Sequence, residues 1–117
     1  MKSGNVIESK SKRFAIRIVH LAKYLQREKR EFVLSRQLLR SGTSIGANVK
    51  EAIRGQSRAD FVSKMNIALK EASETEYWLE ILHETNYLTD REFESIHDNN
   101  KEILRILMSI VKTSRNE

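Results

Sequence analysis

Two Glu-x-x-His pairs stand in the second half of this chain, Glu80 with His83 and Glu94 with His97. Residues three apart share a helical face, and di-metal bundles hold their ions with such pairs when inward glutamates from the other helices complete the site. Here Glu80 continues an outward acidic line with Glu76 and Glu84, and neither pair falls on its segment's apolar stripe. No metal and no cofactor are therefore expected. Arg91 and His97 have a loose spacing met in certain all-α ribonucleases, where the histidine acts as general acid or base on a phosphodiester. Among 21 Lys and Arg and three His, that spacing arises readily by chance. The chain has no glycine-rich phosphate loop, no serine or threonine with an identifiable histidine partner, and no cysteine for a disulfide or thiolate metal site. The expectation is a protein that is not an enzyme.

Charge is more informative. Residues 1–30 hold nine Lys or Arg against two Glu, a balance of +7, whereas residues 61–90 hold two against six, a balance of −4. Lys10, Arg13, Arg17, His20, Tyr24 and Arg27 follow one another in steps of three and four, and so form one stripe on a helix. Lys23 flanks the stripe, and Lys29 and Arg30 extend it. Seven of these residues, Lys10, Arg13, Arg17, Lys23, Arg27, Lys29 and Arg30, are the expected contacts to RNA or DNA. Such binding would be largely sequence-nonspecific and would weaken with salt. The competing reading is a solvated Lys- and Arg-rich face.

The elements that must carry these residues are helices. The 117 residues are 39% apolar, with four glycines and no proline, which suits one all-α domain. No apolar run approaches the ~20 residues of a membrane span, and the start lacks the pattern of a secretory signal, so a soluble, cytoplasmic protein without a membrane partner is expected. Ile7, Phe14, Ile18, Leu21 and Leu25 carry a first helix from about Ile7 to Glu28. A second stripe runs from Leu34 through Leu38, Gly42, Ile45, Val49 and Ala52, and ends near Gly55, which can enter the left-handed region at no steric cost. Ser57 with Asp60 opens a third helix, carried by Phe61, Met65, Ala68, Ala72, Thr75, Leu79 and Leu82 and ending near Asn86 to Leu88. Thr89 with Glu92 opens a fourth, carried by Phe93, Ile96, Ile103, Leu107 and Ile110, with Asn100 interrupting the stripe. Tyr77 and Trp78 are assigned to core or subunit packing.

The stretch "RSGTSIGANVKEA", residues 40–52, admits two readings. A turn at Gly42 with Ser44 as a new N-cap would split the second helix in two. The apolar phase from Leu38 through Ile45 to Val49 is unbroken, however, which favours a continuous helix. Two mid-helix glycines cost roughly 2 kcal/mol relative to alanine. Close packing of Gly42 and Gly46 against the small Ala68, Ala72 and Thr75 of the third helix is the expected compensation.

Residues 38–82, through "SIGANVKEA" and "ALKEASETEYWL", resemble the small four-helix-bundle proteins encoded in intervening sequences of bacterial 23S rRNA genes. The accessory variability proteins of diversity-generating retroelements look related to that group. The resemblance implies an antiparallel up-down-up-down four-helix bundle, a homopentamer, no established catalysis, and in the retroelement branch a reverse transcriptase as partner. Beside the glycines, Arg40, Ser44, Asn48 and Glu51 form a polar stripe, and Glu71, Glu74 and Glu76 stand on the third helix. The expectation is a polar seam that fixes register between these helices or between subunits. The alternative is a solvated face with ordinary intrahelical pairs.

Overall fold

A computed structural model describes residues 2–115. Four helices follow one another: α1 (Lys2–Arg27), α2 (Leu34–Ile53), α3 (Arg58–Glu84) and α4 (Asp90–Arg115). No strand occurs among the described residues, and no helix is long and apolar enough to cross a membrane. Contacts between neighbouring helices run in opposite chain order. Ile18 meets Gly42 and Ser11 meets Gly46, Arg40 meets Glu74 while Lys64 meets Glu51, Glu76 meets His97 while Ala72 meets Asn100, and Lys10 meets Glu102 while Arg17 meets Ser95. Each helix is thus antiparallel to the next, and α4 closes antiparallel on α1 along a looser seam. The bundle measures 46 × 21 × 19 Å, close to the ~40 Å length of a 27-residue helix.

The predicted stripes make the core. Ile7, Phe14, Ile18 and Leu25 of α1 pack with Leu38, Ile45 and Val49 of α2, Met65, Leu79 and Leu82 of α3, and Ile96, Ile103 and Leu107 of α4. Burial of each large aliphatic side chain stabilises by about 1.5–3 kcal/mol. Asn100 is fully buried, and its Nδ2 donates to the Ala72 carbonyl at 3.0 Å, a polar pin between α3 and α4 within this core.

α2 is continuous through its glycines, as the unbroken phase predicts. Their packing partner differs from expectation. A β-carbon on Gly42 would meet Ile18, and one on Gly46 would meet Ser11, so both glycines face α1 rather than α3. One helical step of 100° separates the two flanks: Ser41, not Gly42, turns to α3, where Thr75 Oγ1 donates to Ser41 Oγ at 2.9 Å. Ala68 and Ala72 are buried on α3 without opposing the glycine pair.

The helix ends also depart from expectation in two places, the first being α1, which begins at Lys2 rather than near Ile7. No glycine among the described residues has positive φ, so Gly55 does not act as a left-handed terminator. It is needed for space, because a β-carbon there would lie 2.6 Å from Asp60 Oδ2. The left-handed positions are Arg30 (φ 57°) and Asn86 (φ 70°). At Asn86 the Tyr87 N–H donates to the Leu82 carbonyl and the Asn86 N–H to that of His83, a Schellman end. Ser57 and Thr89 cap α3 and α4 as predicted, with Glu92 returning a bond to the Thr89 N–H. The cap of α2 comes from Glu31, whose buried carboxylate accepts from the backbone N–H groups of Val33, Leu34 and Ser35 at 3.1, 2.9 and 2.7 Å.

Candidate nucleic-acid interface

The amphipathic phase that buries Phe14, Ile18 and Leu25 forces the basic stripe of α1 outward and toward α4. Arg13, Lys23, Arg27, Lys29 and Arg30 are exposed, and His20 lies beside them. Lys29 Nζ sits 6.0 Å from the Tyr24 ring centroid and the Arg30 guanidinium 5.6 Å from that of Phe32, so cations and aromatic rings alternate at this end of the helix.

Lys10 and Arg17 are placed differently from the other five. Lys10 Nζ pairs with Glu102 at 3.2 Å. Arg17 donates from Nη1 to Asn99 Oδ1 and from Nη2 to Ser95 Oγ, each at 2.6 Å. Both side chains brace the loose α1–α4 seam: Glu102 counters the charge of Lys10, while the neutral Ser95 and Asn99 occupy the N–H donors of Arg17. A cavity of about 300 Å³ opens between them, lined also by Arg13, Phe14 and Ile103. A second, of about 280 Å³, follows beyond Arg17 between Tyr24, Leu21, Leu88 and Ile96. The bracing role was hidden in the sequence, although Ser95 and Asn99, four apart on α4, are the spacing that grips one guanidinium.

The polar stripe of α2 splits in two. Arg40 bonds Glu74, and lies 3.3 Å from Glu71, across to α3; Glu51 meets Lys64 at 3.1 Å. The Glu74 hydrogen bond, aided by the charges of Glu71 and Glu74, raises the Arg40 pKa above its ordinary value against an opposing desolvation. Glu74 also accepts from the Trp78 indole N–H at 3.2 Å. Ser44 and Asn48 instead turn back onto their own helix, donating to the carbonyls of Arg40 and Ser44. The ends of the stripe thus cross to α3 while its middle stays local.

The histidines are grouped across helices rather than along them. His83 Nε2 lies 2.7 Å from Asp90, and His97 Nε2 lies 3.0 Å from Glu76. The two imidazoles stack on opposite faces of Phe93, with centroids 4.3 and 4.6 Å away. Glu80 and Glu76 are half-buried toward His97, contrary to the outward line expected of them; only Glu84 is exposed. The flank of α3 that adjoins α4 could not be identified from α3 alone. Arg91 is exposed, and His97 is held by Glu76 and Phe93, so the structure does not bring the arginine-histidine pair together.

The family model of 23S rRNA-intervening sequence proteins matches residues 5–109. Among solved structures, a protein of unknown function from the S23 ribosomal protein family of Bacteroides thetaiotaomicron VPI-5482 is 58% identical, with a TM-score of 0.92. The match covers 94% of this chain and 98% of that one. No curated protein matches the chain.

Proposed function

The chain belongs to the 23S rRNA-intervening sequence protein family, and from that premise we propose that it is a non-enzymatic, oligomeric bundle of the cytoplasm that binds nucleic acid through α1. The observation that carries this reading is the row of exposed cations, Arg13, Lys23 and Arg27 on α1 and Lys29 and Arg30 in the turn that follows it, with Tyr24 and Phe32 beside the last two. A helix fixed by its buried face presents such charges at a constant spacing, and phosphates bind there, releasing their condensed counterions, without base readout. Repetition around a ring multiplies the effect.

Assembly is supported by α3. Off its buried stripe this helix carries Ile67 and Tyr77, 37% and 54% exposed, with Trp78 and Ile81 half-buried nearby. A helix with apolar side chains on more than its core face has a second surface to bury. We take the covering partner to be a second copy, in the homopentamer that the resemblance implies. The acidic balance of residues 61–90 keeps this α3 surface apart in charge from the basic face of α1.

Fluorescence anisotropy with a labelled RNA or DNA at low salt tests the reading. The native protein should bind, and the triple variant Arg13→Glu, Lys23→Glu, Arg27→Glu should lose at least about tenfold in affinity while keeping its helical content. Equal affinity of the two proteins, or no binding by the native one, would overturn it.

A further inference from the structure

Between α3 and α4, away from the α1–α4 seam, three side chains come together that the proposed function leaves unused. Glu76 and Glu80, one turn apart on α3, and His97 on α4 have potential ligand atoms that all lie within 4.8 Å of one another. We propose that Glu76, Glu80 and His97 form a binding site for a divalent transition-metal ion of the zinc or cobalt type.

The donor set carries the chemical class. An imidazole nitrogen with two carboxylates suits zinc-like ions, whereas magnesium and calcium prefer all-oxygen shells. Metal–ligand bonds of about 2.0–2.1 Å put tetrahedral ligand atoms roughly 3.3–3.4 Å apart. His97 Nε2 and Glu76 Oε2 stand at 3.0 Å already. Bringing in Glu80 requires at most an adjustment of its side chain.

Two further features fit a cation better than an ordinary ion pair. Glu80 has no hydrogen-bond or ion-pair partner among the described residues, although it is half-buried beside a second carboxylate. Two carboxylates facing one imidazole leave negative charge in excess. His97 is also oriented in advance, stacked on Phe93 and with only 18% of its side chain exposed. An ion there would join α3 to α4 and keep a position open for water.

Titration of untagged, chelator-treated protein with Co²⁺, followed by visible absorption and then by Zn²⁺ competition, tests the site. One Co²⁺ per chain is expected, with a d–d spectrum that Zn²⁺ abolishes. His97→Ala and Glu80→Gln should each weaken binding by at least about tenfold, with unchanged far-UV circular dichroism. His83→Ala, which alters the other histidine on Phe93, should leave the affinity unchanged. Absence of saturable binding up to millimolar metal would overturn the proposal. Binding insensitive to His97→Ala and Glu80→Gln, or lost in His83→Ala alone, would overturn it equally. Nucleic-acid affinity is not an arm of this experiment, so the two proposals stand or fall separately.

Discussion

A β-carbon on Gly42 would lie 2.8 Å from both Cγ1 and Cγ2 of the fully buried Ile18, whereas one on Gly46 would lie 3.4 Å from Ser11. Ile18 is β-branched and held in the core, so it has little room to turn away. Alanine at Gly42 should therefore destabilise by about 1 kcal/mol, an overpacking cost of about 1–3 kcal/mol exceeding a helix-propensity gain of about 1. Alanine at Gly46 makes only ordinary contact and should stabilise by up to about 1 kcal/mol. Urea denaturation of the two variants checks the opposite signs, and a shift in the same direction for both would contradict the packing described. The sequence marked both glycines as sites of close approach but could not rank them, because the ranking depends on which α1 side chain stands opposite each.

At the scale of elements, four helices and most of their ends were legible because amphipathic phase and capping residues agree. Ser57 with Asp60 and Thr89 with Glu92 are local signals that tertiary contacts did not override. Glu31 was not legible. It sits within the polar cluster "QREKRE" and reaches three N–H groups only because the chain turns at Arg30, in the left-handed region. Glu31→Ala should cost about 1–2 kcal/mol by leaving those donors without the carboxylate at the positive end of the α2 dipole. Glu31→Gln should cost less. Equilibrium unfolding that found Glu31→Ala as stable as the native protein would contradict the capping role. The exposed Arg40 cluster, by contrast, contributes at most about 1 kcal/mol after solvent screening.

For the whole molecule, composition revealed the charge polarity but not its local use. Lys10 and Arg17 read as members of the basic stripe, yet α4 supplies Glu102, Ser95 and Asn99 to hold them, a pairing between residues about eighty to ninety positions apart that periodicity within one helix cannot show. The same limit hid the grouping of Glu76 and Glu80 with His97. Assembly is decided at this scale as well. Light scattering should give a mass near five times the 13.7 kDa chain, and Tyr77→Asp with Ile67→Glu should lower it. A native monomer, or an unchanged mass in the double variant, would contradict the assembly face assigned to α3.

Phosphate binding by the exposed cations of α1 and the turn after it is read from the salt dependence of nucleic-acid affinity. A plot of log affinity against log salt should fall with a slope of about −0.7 to −0.9 per phosphate neutralised. Neutralising Arg27, which is exposed, should reduce that slope by about 1, while Arg17→Gln, altering a half-buried side chain whose donors are engaged by Ser95 and Asn99, should change it less. A flat plot, or a slope indifferent to Arg27→Gln, would contradict the account.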